Sequence, residues 1–487
     1  MSKELDFSDI NKKNFLYKLA HRYLHFVHNL VYYNQFRITG RENLPKNDGY
    51  LVISNHQNSL NDALGILFSI GRKYPVFIAR ADLFKKPAIA RIMKWLGIMP
   101  AYRVRDGIDE LGKNEAIFRE AARVITEGDP IVLFPEALHQ NGRYLGVFKK
   151  GFARIAFETV EQTDFKMKLK IVPMANNYSD YFRFQSKLNI IIGEPFEFDD
   201  LYEIYKTHPE RARYLLAQRA HDAVEKLMVN LDDIPNYPAL ETLCTVYRKN
   251  YIKDNKIRPA NSIRSETVAD QAIADKLREY RNGKPEQYAG LIDKAREYGD
   301  LLKELNLRDW IFTRKRFPVI GIIVRTILWL LFLPIWLVCA LLNVIPFFSG
   351  FIFTRKVKDK LLHPSFHFVV GTLIAGPLWY LIVSIVVALV THTWWYGLLS
   401  LILLPFTVII FSRSTGYLKK LVNRFRRSSF VAKRDKRFFR ALDLRGQIVA
   451  DMDSLMKKQK ANYKSNGKKN RHNGSSADPA QTVSIEG

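Results

Sequence analysis

The sequence predicts an α/β domain with a largely parallel sheet, then a helical region, then membrane-spanning helices. Two observations support this order. Between about 48 and 200, helical stretches alternate with short apolar runs typical of buried strands: YLVIS, PVFIA, IVLF, KIVPM and NIIIG. From Pro318 onward, long uncharged runs take over, at 326–353 and 368–390. Each exceeds the roughly 20 residues that cross a bilayer, so we expect spans there.

The segment before the sheet predicts an amphipathic helix. In residues 14–36 apolar side chains recur at helical spacing, with aromatics suited to a membrane interface. The other face carries basic residues and three histidines, His21, His25 and His28. Their spacing also suits a metal, but solvated polar residues are the stronger interpretation, because no acidic or cysteine ligand is nearby. We therefore expect an interfacial helix.

Composition divides the chain into five parts. We expect an N-terminal interfacial helix at 1–39, the α/β domain at 40–204, a charged helical region without a chemical motif at 205–312, a transmembrane region at 313–430 and a basic, largely disordered tail at 431–487.

Net charge and cysteine content limit the classes of partner and of site that the chain can have. The 487 residues carry 75 Lys and Arg against 48 Asp and Glu, a formal charge of +27, so we expect an anionic partner. The basic residues flank the apolar runs, which favours a lipid membrane, and no nucleic-acid-binding signature accompanies them. The two cysteines, Cys244 and Cys339, exclude a disulfide framework and a zinc site. The N-terminus lacks the apolar core of a signal peptide, so we expect the α/β domain to be cytoplasmic.

Basic residues also predict a membrane topology. A third apolar run, 394–411, follows a short link without Lys or Arg, so 368–411 suits a hairpin. The positive-inside rule then requires the first run to turn back, near Pro334 or Pro346, as two short spans or a re-entrant segment. Three simple spans would place one basic group outside. We therefore expect an even number of spans.

The stretch NHQNSLND, directly after YLVIS, is a candidate for chemistry. His56 lies at a strand end and Asp62 in the first turn of the next helix, where the carboxylate can orient the imidazole as a general base. No serine or cysteine nucleophile is obvious nearby, so the nucleophile would be a substrate hydroxyl. The alternative is structural: Ser59 and Asp62 fit a capping box at a helix start.

Three later sequence blocks favour the catalytic interpretation of NHQNSLND over the structural one. GIMPAYRVRDG carries Arg103 and Arg105, FPEA follows the strand IVLF, and Val172-Pro173-Met174 lies in a later apolar run. In this order and spacing, the four blocks resemble those of the glycerolipid acyltransferase family, which includes lysophosphatidic acid and glycerol-3-phosphate acyltransferases. The resemblance covers about 40–200. Each block alone is weak, whereas four in order on alternating elements are specific.

The resemblance implies a reaction. The family transfers a fatty acyl group from acyl-CoA or acyl-carrier protein to a hydroxyl of a phosphorylated glycerol, without metal or cofactor. By position, His56 would deprotonate the hydroxyl and Asp62 would orient His56. Arg103 or Arg105 would bind the acceptor phosphate.

The third block and the basic turn after it supply further candidates. Pro135 and Glu136 belong to the third block, where the glutamate would accept from glycerol hydroxyls or hold an arginine. Lys149, in FKKGFARIA, precedes a predicted helix whose start suits phosphate. A helix cap at Glu136 and a solvated turn at Lys149 are the structural alternatives.

Two departures from the family pattern leave alternatives open. The spacing is H-x5-D, with Asn61 in the usual aspartate place, similar to the variant of fungal-type glycerol-3-phosphate acyltransferases. FPEA replaces FPEG, with Ala137 in the glycine position. The competing hypotheses are a non-catalytic lipid-binding protein that keeps the fold, an acyltransferase for another lysolipid, and, least supported, a transporter.

Overall fold

The computed structural model describes residues 6–71, 73–103, 107, 109–136, 140–313, 318–355 and 357–472, and its centre is a mixed sheet. The strands in this part of the chain are β1 Gln35–Thr39, β2 Tyr50–Ser54, β3 Val76–Arg80, β4 Ile98–Ala101, β5 Ile131–Leu133, β6 Lys170–Tyr178 and β7 Lys187–Ile192. Their order is β1-β7-β6-β2-β5-β3-β4. Only the β6–β7 pairing is antiparallel among these described strands, so the prediction of a largely parallel sheet is confirmed.

Helices connect the strands and form the rest of the molecule. In chain order they are α1 Phe15–Phe26, α2 Leu60–Ile70, α3 Pro87–Trp95, α4 Lys113–Thr126, α5 Gly151–Glu161, α6 Tyr202–Thr207, α7 Pro209–Glu225, α8 Tyr237–Asp254, α9 Ile263–Gly283, α10 Pro285–Glu304, α11 Val319–Leu342, α12 Val344–Thr354, α13 His363–Phe366, α14 Gly376–Val390, α15 Trp394–Ala432 and α16 Lys436–His472. Two π-helical stretches, Val27–Tyr32 and His367–Ala375, continue α1 and α13.

The strands are apolar throughout because both faces of the sheet are covered. Leu51 and Ile53 of β2 belong to a core with α4, α5 and α7, whereas Tyr50 and Val52 point to the opposite face, where α2 packs. Alternating side chains of one strand therefore enter two different cores. A continuous apolar run such as YLVIS therefore indicates a strand that is buried on both faces.

Two domain limits differ from those expected from composition. β1 precedes residue 40, so the sheet begins inside the segment assigned to the N-terminal helix. At the other end, Ala212, Leu216 and Ala220 of α7 are buried against the sheet, so this helix belongs to the α/β domain. A second core begins near Val229 and joins α8, α9 and α10.

The segment at 431–487, which we expected to be largely disordered, differs most from its prediction. Residues 436–456 of α16 pack into the second core, through Phe438, Ala441, Leu444, Ile448 and Met452, each at most 1% exposed. Their three- and four-residue spacing is that of one helix face. Abundant Lys and Arg on the other face hid this pattern. Residues 473–487 lie outside the described part.

The N-terminal helix places its three histidine rings beside α2, with only His28 buried, and an apolar stripe outward. His21, His25 and His28 each place a ring 5.1–5.3 Å from the Phe68 ring of α2. His28 is completely buried, and burial lowers its pKa to about 4, so the expectation of a solvated face is wrong for this residue. The outer stripe is Phe15, Leu16, Leu19, Tyr23, Phe26 and Leu30, all at least 40% exposed.

Three helical stretches in the described residues are long and apolar enough to cross a membrane: Val319–Leu342, Lys360–Val390 and Trp394–Ala432. Only 11–17% of each apolar window is buried within the protein. Exposed apolar faces this large fit the membrane spans that the sequence predicts.

The first apolar run breaks close to Pro346, as one of the two predictions had it, and not near Pro334. α11 continues through Pro334 and ends at Leu342, and Pro346 lies in the first turn of α12. The break falls at Asn343, whose side chain donates to Thr407 of α15 and accepts from Tyr380 of α14. α12 has 11 residues, too short to span, and packs on the π-helical stretch after α13. The even number of spans stays a prediction.

We predict that α16 stabilises the helical core. Leu444→Ala removes a side chain that is 1% exposed and should cost about 2–5 kcal/mol of stability. Leu442→Ala, in the same helix but 42% exposed, is the matched control and should change stability by less than about 0.5 kcal/mol. Thermal unfolding in detergent would measure both. Equal, negligible shifts would contradict the packing of α16.

Candidate active site

The end of β2 is locked to β6 by an asparagine. Beyond Ser54, the Asn55 side chain bonds to the backbone of Asn176 in both directions, with Nδ2 donating to the carbonyl at 3.1 Å and Oδ1 accepting from the N–H at 2.8 Å. The amide side chain thus imitates one more step of strand pairing. Residue 56 is held at the carboxyl edge of the sheet, where parallel-sheet sites form.

The expected pair is present. His56 Nδ1 lies 2.9 Å from Asp62 Oδ2. The His56 side chain is 17% exposed and that of Asp62 is fully buried, so the imidazole reaches the surface while its partner does not. A carboxylate facing Nδ1 favours the tautomer with the proton on Nδ1, which makes Nε2 the basic nitrogen. Phe134 stacks on the imidazole at 4.2 Å and fixes its plane.

Three further donors bind the buried Asp62 carboxylate. Oδ2 accepts from the backbone N–H groups of Gln57 at 2.8 Å and Asn58 at 2.7 Å, and Oδ1 accepts from the Tyr178 hydroxyl at 2.7 Å. Hydrogen bonds to the charged form offset the cost of burying it. Sequence reasoning missed Tyr178. The available signal was its spacing of four residues, an even number, from Met174 on β6, which places both on one face of that strand.

The unusual H-x5-D spacing is accommodated at Ser59. Its φ is +46° and its ψ is −120°, close to the first central position of a type II′ turn, and the Asn61 N–H donates to the Asn58 carbonyl at 3.0 Å. The turn accommodates the one residue by which this spacing exceeds the usual family spacing. Asp62 therefore faces His56, whereas the Asn61 amide donates to the Asn58 side chain at 3.2 Å.

The alternative of a Ser59–Asp62 capping box is wrong. The Ser59 side chain makes no capping bond, and Asp62 binds the loop before the helix. A residue distant in sequence caps α2 instead: the Leu60 N–H donates to Ser365 Oγ of α13 at 3.1 Å. The candidate span Lys360–Val390 therefore contacts the start of the helix that carries Asp62.

Glu136 links two loops beside the pair. Its Oε1 accepts from the His56 backbone N–H and its Oε2 from the Gly146 backbone N–H, both at 2.7 Å. It is 3% exposed, and burial raises its pKa to about 7, with the charge of Asp62 adding to the rise. Contact with a glycerol hydroxyl stays a prediction. In the structure, Glu136 holds the His56 backbone by accepting a hydrogen bond from its N–H.

The basic candidates differ in position. Arg103 follows β4 at the same edge of the sheet, with Nη2 3.5 Å from Asp82. Asp82 also binds Arg80, at the end of β3, at 2.9 Å. Two guanidinium groups thus share one carboxylate, and Arg80 is a cation that the sequence analysis overlooked although it ends an apolar run. Arg105 lies outside the described residues, as do Ala137 and His139.

The turn after the FPE block carries the last two candidates. The Lys149 N–H donates to the Pro135 carbonyl at 2.8 Å, which ties this turn to the FPE block. The Lys149 side chain is exposed just before α5. A role for either residue in binding substrate stays a prediction.

Comparisons with known proteins agree with this geometry. Residues 35–177 match the family model described as Acyltransferase. The chain is 34% identical over 125 residues to the chloroplastic 1-acyl-sn-glycerol-3-phosphate acyltransferase BAT2 of Brassica napus, covering 25% of this chain and 33% of that protein. It is 31% identical over 128 residues to the chloroplastic 1-acyl-sn-glycerol-3-phosphate acyltransferase LPAT1 of Arabidopsis thaliana, covering 26% and 33%.

The matches are confined to one part of each protein. The aligned region spans about a third of the length of these relatives. A solved structure, the 1-acyl-sn-glycerophosphate (LPA) acyltransferase PlsC from Thermotoga maritima, is 20% identical with a TM-score of 0.31, over 43% of this chain and 79% of that one. The resemblance inferred from the four blocks is confirmed at the level of the acyltransferase family.

We predict that Glu136 makes stability depend on pH. Its pKa of about 7 in the folded protein lies above the ordinary glutamate value of 4.5, so its contribution to stability is full below about pH 4.5 and is lost as the pH rises to about 7. The loss is on the order of 3 kcal/mol. Between pH 5 and 8 the melting temperature of the native protein should fall more than that of Glu136→Gln. The exposed-site variant Glu42→Gln should keep the native slope; equal slopes in all three proteins would contradict the prediction.

Proposed function

We propose that this chain, whose residues 35–177 match the acyltransferase family, moves a fatty acyl group from an acyl thioester to a hydroxyl of a glycerol-phosphate acceptor. The observation that carries the proposal is the His56–Asp62 pair, an imidazole oriented by a buried carboxylate at the carboxyl edge of the sheet. A base that reaches the surface suits a nucleophile brought by the substrate, namely its hydroxyl.

The reaction follows from that pair. His56 Nε2 takes the hydroxyl proton as the acceptor oxygen attacks the thioester carbonyl carbon. The tetrahedral intermediate collapses with cleavage of the C–S bond, and the departing thiolate receives the proton from the imidazolium. Asp62 stabilises the imidazolium through Nδ1, and its three other donors keep it in place. Holding both substrates together contributes several kcal/mol.

The acceptor belongs to the glycerol-phosphate class. The names of the two plant relatives favour 1-acyl-glycerol-3-phosphate, whereas the H-x5-D spacing favours glycerol-3-phosphate. Both carry a phosphate near the reacting hydroxyl. Arg80 and Arg103 are the cations proposed for it. β3 and β4 lie two and three strands from β2, about 10 and 14 Å, a gap that a guanidinium side chain and the acceptor together can bridge.

The remaining features are proposals of the same kind. The donor is acyl-CoA or acyl-carrier protein, and the thioester supplies the driving force without a cofactor. The exposed stripe of α1 and the three candidate spans hold the domain on the cytoplasmic face of a membrane as a multi-pass protein. There the acylated product and its precursors concentrate.

We predict that acylation depends on both members of the pair and on their register. Purified protein would receive CoA and carrier-protein thioesters with glycerol-3-phosphate or 1-acyl-glycerol-3-phosphate. His56→Ala should abolish transfer, and Asp62→Asn should lower kcat by about a hundredfold or more. The double variant Asn61→Asp/Asp62→Asn keeps charge and composition but moves the carboxylate to the residue that faces Asn58, and should be equally impaired.

The outcomes separate the hypotheses. Transfer to a single acceptor identifies it, and transfer only to another lysolipid would replace the proposed acceptor class. A folded native protein that binds lipid but transfers nothing would favour the non-catalytic lipid-binding alternative. Full activity of the double variant would contradict the assignment of Asp62.

We predict that the arginine pair acts on acceptor binding. Arg103→Gln and Arg80→Gln should each raise KM for the phosphorylated acceptor by about tenfold or more, the effect of losing one charge-assisted hydrogen bond, with a smaller change in kcat. Arg91→Gln, on the exposed face of α3, is the matched control and should leave KM unchanged. Unchanged KM in both test variants would exclude these residues as the phosphate site.

A further inference from the structure

A short segment, residues 142–146, lies between the helical region of α8 and α9 and the candidate active site and contacts both; we name it the strap. On one side, the strap binds the loop that carries His56. These contacts are Gln57 Nε2 to the Gly142 and Tyr144 carbonyls, at 2.9 and 3.3 Å, and the Gly146 N–H to Glu136 at 2.7 Å. Gln57 is the residue next to His56, and Glu136 holds the His56 N–H. The strap therefore supports the backbone of the catalytic histidine from two directions.

On its other side, the strap binds the helical region. The Arg143 N–H donates to the Tyr237 hydroxyl at 3.0 Å, and the Arg143 carbonyl accepts from the Leu231 N–H at 2.7 Å. The Leu145 N–H donates to Asn230 Oδ1 at 3.0 Å. Backbone groups along the strap thus alternate between the two partners. A shift of α8 would move the strap with it.

The Arg143 side chain fastens the strap. It is 8% exposed and binds Glu241 of α8 with two parallel bonds of 2.7 Å. Its third contact is Asp270 of α9 at 2.5 Å. Arg248 of α8 binds the same Asp270 with two bonds of 2.7 Å. Two guanidinium groups and two carboxylates form a balanced quartet.

This geometry requires arginine. A guanidinium has five donors in a rigid plane, so Arg143 can bind Glu241 twice and Asp270 at once, whereas an ammonium is a point charge without that fork. A buried quartet of this kind is weak evidence for stability, because desolvation offsets much of the attraction. Fixing a geometry is the better-supported use of such contacts.

We propose that α8 and α9 position His56 through the strap, with Arg143 as the positioning residue. The inference rests on the proposed acyl transfer, and it assigns a role to a helical region that carries no chemical motif of its own. The chain of contacts runs from Glu241 and Asp270 to Arg143, along the strap to Gln57 and Glu136, and from these to the loop of His56.

The test compares two arginines that each bind a buried carboxylate, the buried Arg143 and the half-buried Arg445. Arg143→Lys keeps the charge and loses the fork. Arg445→Lys is the matched control, because Arg445 binds the buried Asp309 in the same helical region at 2.8 Å, and Asp309 bonds there to Tyr298. Both substitutions weaken a buried pair, and only the first touches the strap.

We expect Arg143→Lys to lower kcat by about tenfold to a hundredfold, since a misplacement of about 1 Å can cost that much, with KM changed less than about threefold. Hydrogen exchange in the 55–62 peptide should accelerate. Arg445→Lys should lower the melting temperature comparably and leave kcat and that exchange at native values. A second probe, Gly142→Ala, brings a methyl group within 2.8 Å of the Tyr144 ring and 2.9 Å of the Tyr237 ring, and should reproduce the kcat loss while Arg143 keeps its guanidinium fork.

The outcomes are distinct. Parallel losses in Arg143→Lys and Arg445→Lys, in proportion to melting temperature, would overturn the proposal, as would native kcat and exchange in Arg143→Lys. If Arg143→Lys fails to fold, Gly142→Ala decides by the same readouts. A native protein inactive with every donor and acceptor would refute the proposed transfer, and exchange in the 55–62 peptide would still decide whether the strap positions the His56 loop.

Discussion

A carboxylate without access to water must find its hydrogen-bond donors inside the protein, and Asp62 finds four of them within one loop and one strand end. Much of the local structure follows from that demand. The loop must curl back so that two successive N–H groups converge on Oδ2, which requires a tight turn. The turn places Ser59 in a left-handed backbone conformation that side chains rarely adopt. Strain at one residue is offset by the satisfied charge.

The same demand explains why the helix start is capped from elsewhere. An aspartate in the first turn ordinarily binds the free N–H groups of its own helix. Here Asp62 serves the preceding loop, so Ser365 supplies the acceptor for the Leu60 N–H. Phe368, fully buried against the α2 side of the sheet, fixes the same segment. The orientation of α2 and the docking of the Lys360–Val390 stretch therefore depend on the same contacts.

The sequence predicted those parts of the molecule in which the hydrophobicity of a residue alone determines where it lies in the fold. Strands that are buried on both faces are apolar throughout, so the runs YLVIS and IVLF predicted the sheet and the position of its carboxyl edge. The His56–Asp62 pair was predicted from its place at that edge. Residues whose role depends on distant partners stayed hidden. Nothing local to Ser365 reveals the helix start that it caps, and the position of Tyr178 on its strand does not by itself reveal the Asp62 carboxylate. α16 was missed because one narrow apolar face was diluted among basic residues.

The contacts around Glu136 show why the third block and the first are both needed at one site. A glutamate that accepts from two backbone N–H groups cannot offer the same lone pairs freely to a substrate. Burial favours its neutral form, whereas those two donors favour the charged one. Such a residue is poised between protonation states near neutral pH, and each state holds the His56 backbone with different strength. The position of His56 is thus coupled to the titration of Glu136, which need never touch an acceptor.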